Sequence, residues 1–252
     1  MEIETIYILF FFLVILQTIV GVGVLVLGTP ILLFFDYNII ETMSLLLPIS
    51  ITTSFLNYIY LKTNKEKFNI NLDREIKKNF IIIFLPGVLF GLFLTSKLIT
   101  HINFELLVSL VIFFSLLIKW KFEKKINNFS LIYKKIILIS ISVIHGLTNS
   151  GGTLLTIFFS AINKNKLNQS RYSITFYYLI LASIQYFVFL IIFKNKISIF
   201  YPYEILILIV ISVFTGTYIA KSIGQNFFKK IIEILALFSA IILLMNNFDL
   251  LY

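Results

Sequence analysis

Two stretches of this chain carry polar and glycine residues where plain apolar ones would suffice. The first, "LQTIVGVGVLVLGTPILLFF", places Gln17, Thr18, Gly21, Gly23, Gly28, Thr29 and Pro30 in an apolar run. The second, "HGLTNSGGTLL", holds His145, Asn149, Ser150, Gly151, Gly152 and Thr153. Pro30 lacks an N–H and clashes with the preceding turn, so its position predicts a break at Gly28–Thr29. Asn149 to Thr153 are poor helix formers, and a break there exposes backbone N–H groups at a new helix start. Such a terminus attracts anions through its unpaired donors and its dipole. Glycine lets a ligand approach the main chain closely. Hydroxyls and amides from Gln17, Thr18, Asn149, Ser150 and Thr153 could complete the coordination without a buried charge, which is costly in a bilayer. The chemistry predicted is the binding of a small oxyanion.

Other residues admit two readings each. His145 either binds substrate or carries a proton, or it locks its helix with a hydrogen bond. Arg171 presents a fork of donors suited to an oxyanion, or it marks the interfacial end of a span. Asn57 and Gln185 lie in polar-speckled segments downstream of the two stretches, beside Ser50, Ser54, Thr175 and Ser183. A single Ser or Thr there more often bonds its own backbone.

The elements that must position these residues are membrane helices. The chain is 59% hydrophobic and only 13% charged, whereas soluble domains run at about 45–50% and about 25%. A crossing helix needs about 20 mostly apolar residues. Eight segments qualify: 5–34, 38–61, 79–97, 102–120, 134–162, 172–193, 199–220 and 229–247. The first and fifth are longer than one crossing requires, and they contain the two glycine-rich stretches. The expected fold is an all-α polytopic membrane protein of about eight transmembrane helices. They form two four-helix repeats, residues 1–125 and 126–252, with the first and fifth segments broken at the Gly-rich motifs. An offset near 129 sets Gly21 and Gly23 on Ser150 and Gly152, while an offset of 128 sets Asn57 on Gln185. Interrupted segments at matching places in two halves point to a transporter's binding site. For one segment alone, close helix packing accounts for the glycines equally well.

The formal charge of +9 lies between the apolar segments, which excludes nucleic acid as the natural partner. Two Lys-dense linkers, "KTNKEKFNINLDREIKK" and "KWKFEKKINNFSLIYKK", fall on one side, and the positive-inside tendency makes that side the cytoplasm. Eight full crossings divide the 21 Lys and Arg residues 14 inside to 7 outside. If the fifth segment dips in and returns, the division becomes 18 to 3. The opening "MEIE" lacks a basic region, so it reads as the start of a first helix and not as a cleavable signal. Cys is absent and the two His are far apart, so neither a thiolate nor a zinc site is expected, and no cofactor. No P-loop motif appears. Heavy use of Lys, Asn, Ile and Phe suits an AT-biased prokaryotic genome, hence a multi-pass protein of the plasma membrane.

In "GVGVLVLGTPILL" and "HGLTNSGGTLL" the chain resembles the sulfite exporter TauE/SafE family, also called the 4-toluene sulfonate uptake permeases. Gly21, Gly23 and Pro30 keep the spacing of that family's first motif, while Val24 and Leu25 replace two later glycines. Gly146, Gly151 and Gly152 match its second motif, with Thr153 where a third glycine is common. The departures mark a divergent member. The resemblance implies a permease and not an enzyme, moving small sulfur-containing or organic anions such as sulfite, sulfonates or sulfoacetate without ATP hydrolysis. Its partners would be that anion, the bilayer, a coupling proton or ion, and a second copy of the chain. The competing readings are an intramembrane lipid- or quinone-modifying enzyme, short of acid–base groups apart from His145, and a channel or non-transporting assembly subunit.

Overall fold

The computed structural model describes residues 3–64, 74–126, 131–163, 167–194, 203–222 and 225–247. The Lys-rich stretch 65–73, Lys164, Lys166, Lys196 and residues 199–202 of the expected seventh segment lie outside them. The described residues form helices α1 (Ile3–Val20), α2 (Val24–Phe34), α3 (Ile39–Thr63), α4 (Arg74–Leu98) and α5 (Phe104–Ile126). They continue as α6 (Leu131–Thr148), α7 (Gly152–Ile162), α8 (Leu167–Ile192), α9 (Tyr203–Ser222) and α10 (Gln225–Asn247). Three of these, α3, α8 and α9, are long and apolar enough to cross a membrane by length and composition. Large apolar side chains face outward along them and their neighbours, among them Phe90, Phe114, Phe187 and Phe214. Water does not tolerate so broad an apolar surface, but lipid does. This is a helical membrane protein.

The first segment breaks at Gly21–Gly23 and not at Gly28–Thr29, which corrects the expectation drawn from Pro30. Gly21 takes φ +96, a left-handed conformation that ends α1, and its N–H bonds the Gln17 carbonyl at 2.7 Å. At Gly23 a Cβ would lie 2.8 Å from the Gln17 backbone nitrogen, so the chain can turn there only without a side chain. Beyond it, α2 runs unbroken through Gly28, Thr29 and Pro30. Nine of its eleven residues are buried, and membrane helices absorb a proline's lost hydrogen bond where neighbours enclose them.

The break is a reversal. A Leu13 methyl lies 3.1 Å from where a Gly28 Cβ would sit. In a straight span, residues 15 apart in sequence would be roughly 20 Å apart. So α2 folds back beside α1, and the pair is a hairpin with its tip at Gly21–Gly23.

The second segment does the same. Asn149 holds φ +60 and its N–H bonds the His145 carbonyl at 2.8 Å. A Cβ on Gly151 would meet the His145 Cβ at 2.6 Å. Helix α4 gives the direction. Its Gly87 faces Ser142 and its Gly91 faces Val143 to Leu147, so α4 and α6 run in parallel toward the tip. On the way back, Phe159 of α7 stacks on Tyr177 at 4.4 Å. Tyr177 in turn lies 4.3 Å from Phe80, near the start of α4. Helix α7 therefore returns along the path by which α6 came.

Helix boundaries recur at a constant interval. Both ends of α6 lie 128 residues after those of α1, both ends of α7 lie 128 after those of α2, and α8 starts 128 after α3. In this register Gly21 corresponds to Asn149, Gly23 to Gly151, Gln17 to His145 and Asn57 to Gln185. The glycine correspondence is thus one residue from the offset of 129. Neighbours exchange accordingly: α1 packs on α9 and α6 on α4, α5 on α7 and α10 on α2, while α3 meets α8 and α5 meets α10.

Candidate functional site

The two hairpin tips meet between α3 and α8, which supply the remaining polar groups. Gln17 is fully buried and fully committed. Its Oε1 accepts from the Val24 N–H at 3.0 Å, capping the first turn of α2. Its Nε2 donates to the Ser50 carbonyl and to Ser54 Oγ, each at 2.9 Å. Thr18 is likewise engaged: its Oγ1 accepts from Asn57 Nδ2 at 3.2 Å. The Thr18 carbonyl accepts from the Arg171 guanidinium. Arg171 therefore reaches the first tip and holds a carbonyl at the end of α1, where a cation also suits the helix dipole.

At the second tip the balance differs. Asn149 Nδ2 donates to Thr29 Oγ1 at 3.1 Å, tying the tip of one hairpin to the returning arm of the other. Gln185 Nε2 donates to the His145 carbonyl at 3.2 Å. Both His145 ring nitrogens, Asn149 Oδ1, Gln185 Oε1 and Thr153 Oγ1 are buried without a hydrogen-bond partner, as are Asn57 Oδ1 and Thr175 Oγ1 beside the first tip. Each such group left unpaired costs about 1–3 kcal/mol, so their concentration here makes this a place where water or a polar ligand would be accommodated. Neither helix is capped by its own N-cap glycine, but Gln17 takes the Val24 N–H of α2, whereas the His145 ring makes no such bond to α7. The unpartnered donors around the tips are the His145 N–H, the Thr153, Thr175 and Tyr178 hydroxyls and Arg171 Nε. Asn149 Oδ1 and Gln185 Oε1 are acceptors only, so a partner for either would have to carry a proton, as water does.

Other expected residues are placed but spoken for. Ser150 turns to its own backbone, its Oγ donating to the Thr148 carbonyl at 3.2 Å. A Cβ on Gly152 would press on the Tyr178 ring at 2.9 Å and on Val26 at 3.0 Å. At Gly21 it would meet Ile174 at 3.1 Å. These glycines, with Gly23 and Gly151, let the tips pack closely. Pro30 is buried within α2.

Two features were not read from the sequence. Tyr178 sits with its ring 5.8 Å from that of His145. Its hydroxyl lies near Ser50 and the Leu25 N–H without closing a well-formed bond to either. A tyrosine in an apolar helix is visible in sequence, but the face it takes is not. The other feature is an ion pair between Lys119 of α5 and Glu233 of α10, which hydropathy alone assigns to span ends. Among the described residues no group of three His, Cys, Asp or Glu could hold a metal ion.

A family model described as "Sulfite exporter TauE/SafE" matches residues 6–243 of the chain. No curated protein and no solved structure matches it.

Proposed function

Because the chain belongs to the sulfite exporter TauE/SafE family, and so to a family of membrane transporters, we propose that it carries a small anion through the site between its hairpin tips. The anion is a sulfur oxyanion or an organic relative: sulfite, a sulfonate or sulfoacetate. The observation that carries this reading is the Asn149–Thr29 bond joining the two hairpins, surrounded by the free polar atoms of His145, Asn149, Gln185 and Thr153. His145 and Thr153 donate to the anion, while Asn149 Oδ1 and Gln185 Oε1 accept from a proton it carries or from a bridging water. Arg171 and Asn57 hold the first tip beside it, and the glycines shape both tips. A gradient of protons or another ion drives the cycle across the plasma membrane of a prokaryote.

The layout that best supports alternating access is a pair of inverted repeats. Each has one hairpin that dips and three helices that cross: α3, α4 and α5, then α8, α9 and α10. The first hairpin then enters from one face and the second from the other. On this layout 18 of the 21 Lys and Arg residues lie on one face and 3 on the opposite one. The Lys-rich face is the cytoplasmic one. Either hairpin can then move against the rest while the tips remain the shared site, which is the rocking expected of inverted repeats.

The direct test is saturable uptake into proteoliposomes of sulfite, sulfonates, sulfoacetate, carboxylates and phosphate, with thermal stabilisation of the purified protein read in parallel. A ligand that binds only the folded state raises its stability by mass action. Stabilisation by sulfur oxyanions is expected. Stabilisation by lipids or quinones with a flat response to every anion would sink the reading.

The register of 128 gives a second expectation. His145 stands where Gln17 stands in the first hairpin, and Gln17 caps α2. His145→Gln should cap α7 in the same way. A cap contributes about 0.5–2 kcal/mol, which at this size raises Tm by roughly 2–4 °C per kcal/mol. The same substitution removes the unpartnered His145 ring N–H, so anion uptake should fall. A lower Tm with normal uptake would show that the two positions are not equivalent.

A further inference from the structure

Beside the hairpin tips, away from α3 and α8, a cavity opens between α2, α7, α5 and α10. Val22 of the first tip and Val26 of α2 form one wall, and Thr153 and Thr156 of α7 another. Among the described residues, Lys119 and Glu233 are the charged ones that line it. Their side chains are 15% and 22% exposed. Lys119 lies about two turns before the end of α5, and Glu233 about two turns after the start of α10. Desolvating such a pair is expensive, and apolar residues of similar size often replace one without loss of stability. Intramembrane charges that persist mark substrate paths.

Thr153 connects this cavity to the site. It is the second residue of α7, at the uncapped helix start, and its buried Oγ1 has no partner. Thr156 is not free, since its hydroxyl donates to the Gly152 carbonyl at 2.9 Å. An anion in the cavity would therefore meet one cation paired to one carboxylate, one free hydroxyl, the engaged Thr156 and otherwise apolar walls.

Resting on the anion-transport reading above, we infer that Lys119 is the anion-receiving cation of the cytoplasmic path and that Glu233 is the carboxylate the anion displaces. With no anion present, Glu233 holds Lys119 and closes the path between α5 and α10. A small oxyanion entering the cavity takes Glu233's place on the ammonium and passes from Lys119 to Thr153 and the tip. The exchange leaves no buried charge unpaired except the carboxylate, which turns toward the cytoplasmic face. Lysine suits this role because it binds as a point charge, without the two-pronged grip of a guanidinium.

The test is sulfite uptake into proteoliposomes by wild type, Lys119→Met, Glu233→Gln and the double variant Lys119→Met/Glu233→Leu, with folded yield followed by size exclusion. Lys119→Met should raise the sulfite concentration for half-maximal uptake at least tenfold. Glu233→Gln, which leaves the lysine without its competitor, should lower it several-fold and slow turnover. If the single variants do not fold, the double variant, free of both charges, decides: half-saturation raised tenfold supports the role. Wild-type half-saturation in any folded variant lacking Lys119 overturns it while leaving the transport reading intact. Absence of saturable uptake of every anion by the wild type overturns both.

Discussion

Asn149→Gly is expected to reduce anion uptake at least tenfold while leaving the protein folded and inserted. Asn149 does two things that can be separated. Its backbone holds φ +60 at the hairpin tip, a conformation that asparagine tolerates and glycine adopts freely. Its side chain donates to Thr29 Oγ1 and keeps a buried, unpartnered Oδ1. Glycine preserves the first property and removes the second. Alanine is the poorer choice, since a Cβ in left-handed backbone costs about 1–2 kcal/mol and would confuse misfolding with loss of a contact. The lost Thr29 bond costs only about 0.5–1.5 kcal/mol of stability. A tenfold fall in uptake requires about 1.4 kcal/mol lost from the transported state, which the loss of one hydrogen bond from a proton-bearing anion, or from a water bridging to the anion, to Asn149 Oδ1 supplies. Asn149→Asp, which keeps the shape and adds a negative charge, should be worse than glycine. Uptake within twofold of wild type in Asn149→Gly, with normal yield, would remove Asn149 from the site.

Cysteine labelling should report the start of α1 and the two ends of the second hairpin on opposite faces of the membrane. The chain contains no Cys, so single substitutions need no prior removal. Glu4 and Asn163 are the informative positions. If both hairpins dip and return, Glu4→Cys reacts with a membrane-impermeant reagent from outside and Asn163→Cys only from the cytoplasm. Eight full crossings predict the reverse at both sites. Thr63→Cys, at the end of α3, is cytoplasmic in either case and controls for leakage. The effect is all or none, because a polar reagent does not cross the bilayer on the labelling timescale. The 18-to-3 division of basic residues favours the dipping layout, and the return of α2 onto Leu13 gives it a physical cause. Labelling of Asn163→Cys from outside would discard the inverted repeats and the orientation of the second half with them.

Much of this was legible in the residues. Composition and apolar length imposed a membrane protein, because no water-soluble fold can hide so much Phe, Ile and Leu. Glycines and small polar residues marked the two segments that break and located the second break, at Asn149–Gly151, closely. The placing of the first break at Gly28–Thr29 failed for a definite reason. A proline's local penalty is smaller than the packing that surrounds α2 on every side, whereas at Gly21 and Gly23 positive φ and a close backbone contact leave no alternative.

What the tertiary structure alone decided is direction and pairing. After a glycine break a chain can continue or reverse at little local cost. Reversal here is set by Leu13 and Leu46 closing on Gly28, contacts between residues distant in sequence. Gln17 and His145 are similar in sequence terms, both polar and each six residues before a helix-starting glycine. One is saturated and the other free, because Ser50 and Ser54 face Gln17 from α3, whereas α8 turns Tyr178 and Ala182 to the corresponding places. Lys119 and Glu233 are separated by 114 residues, and neither belongs to a motif. Local preference is written residue by residue, but a partner across the bundle exists only once the helices have packed.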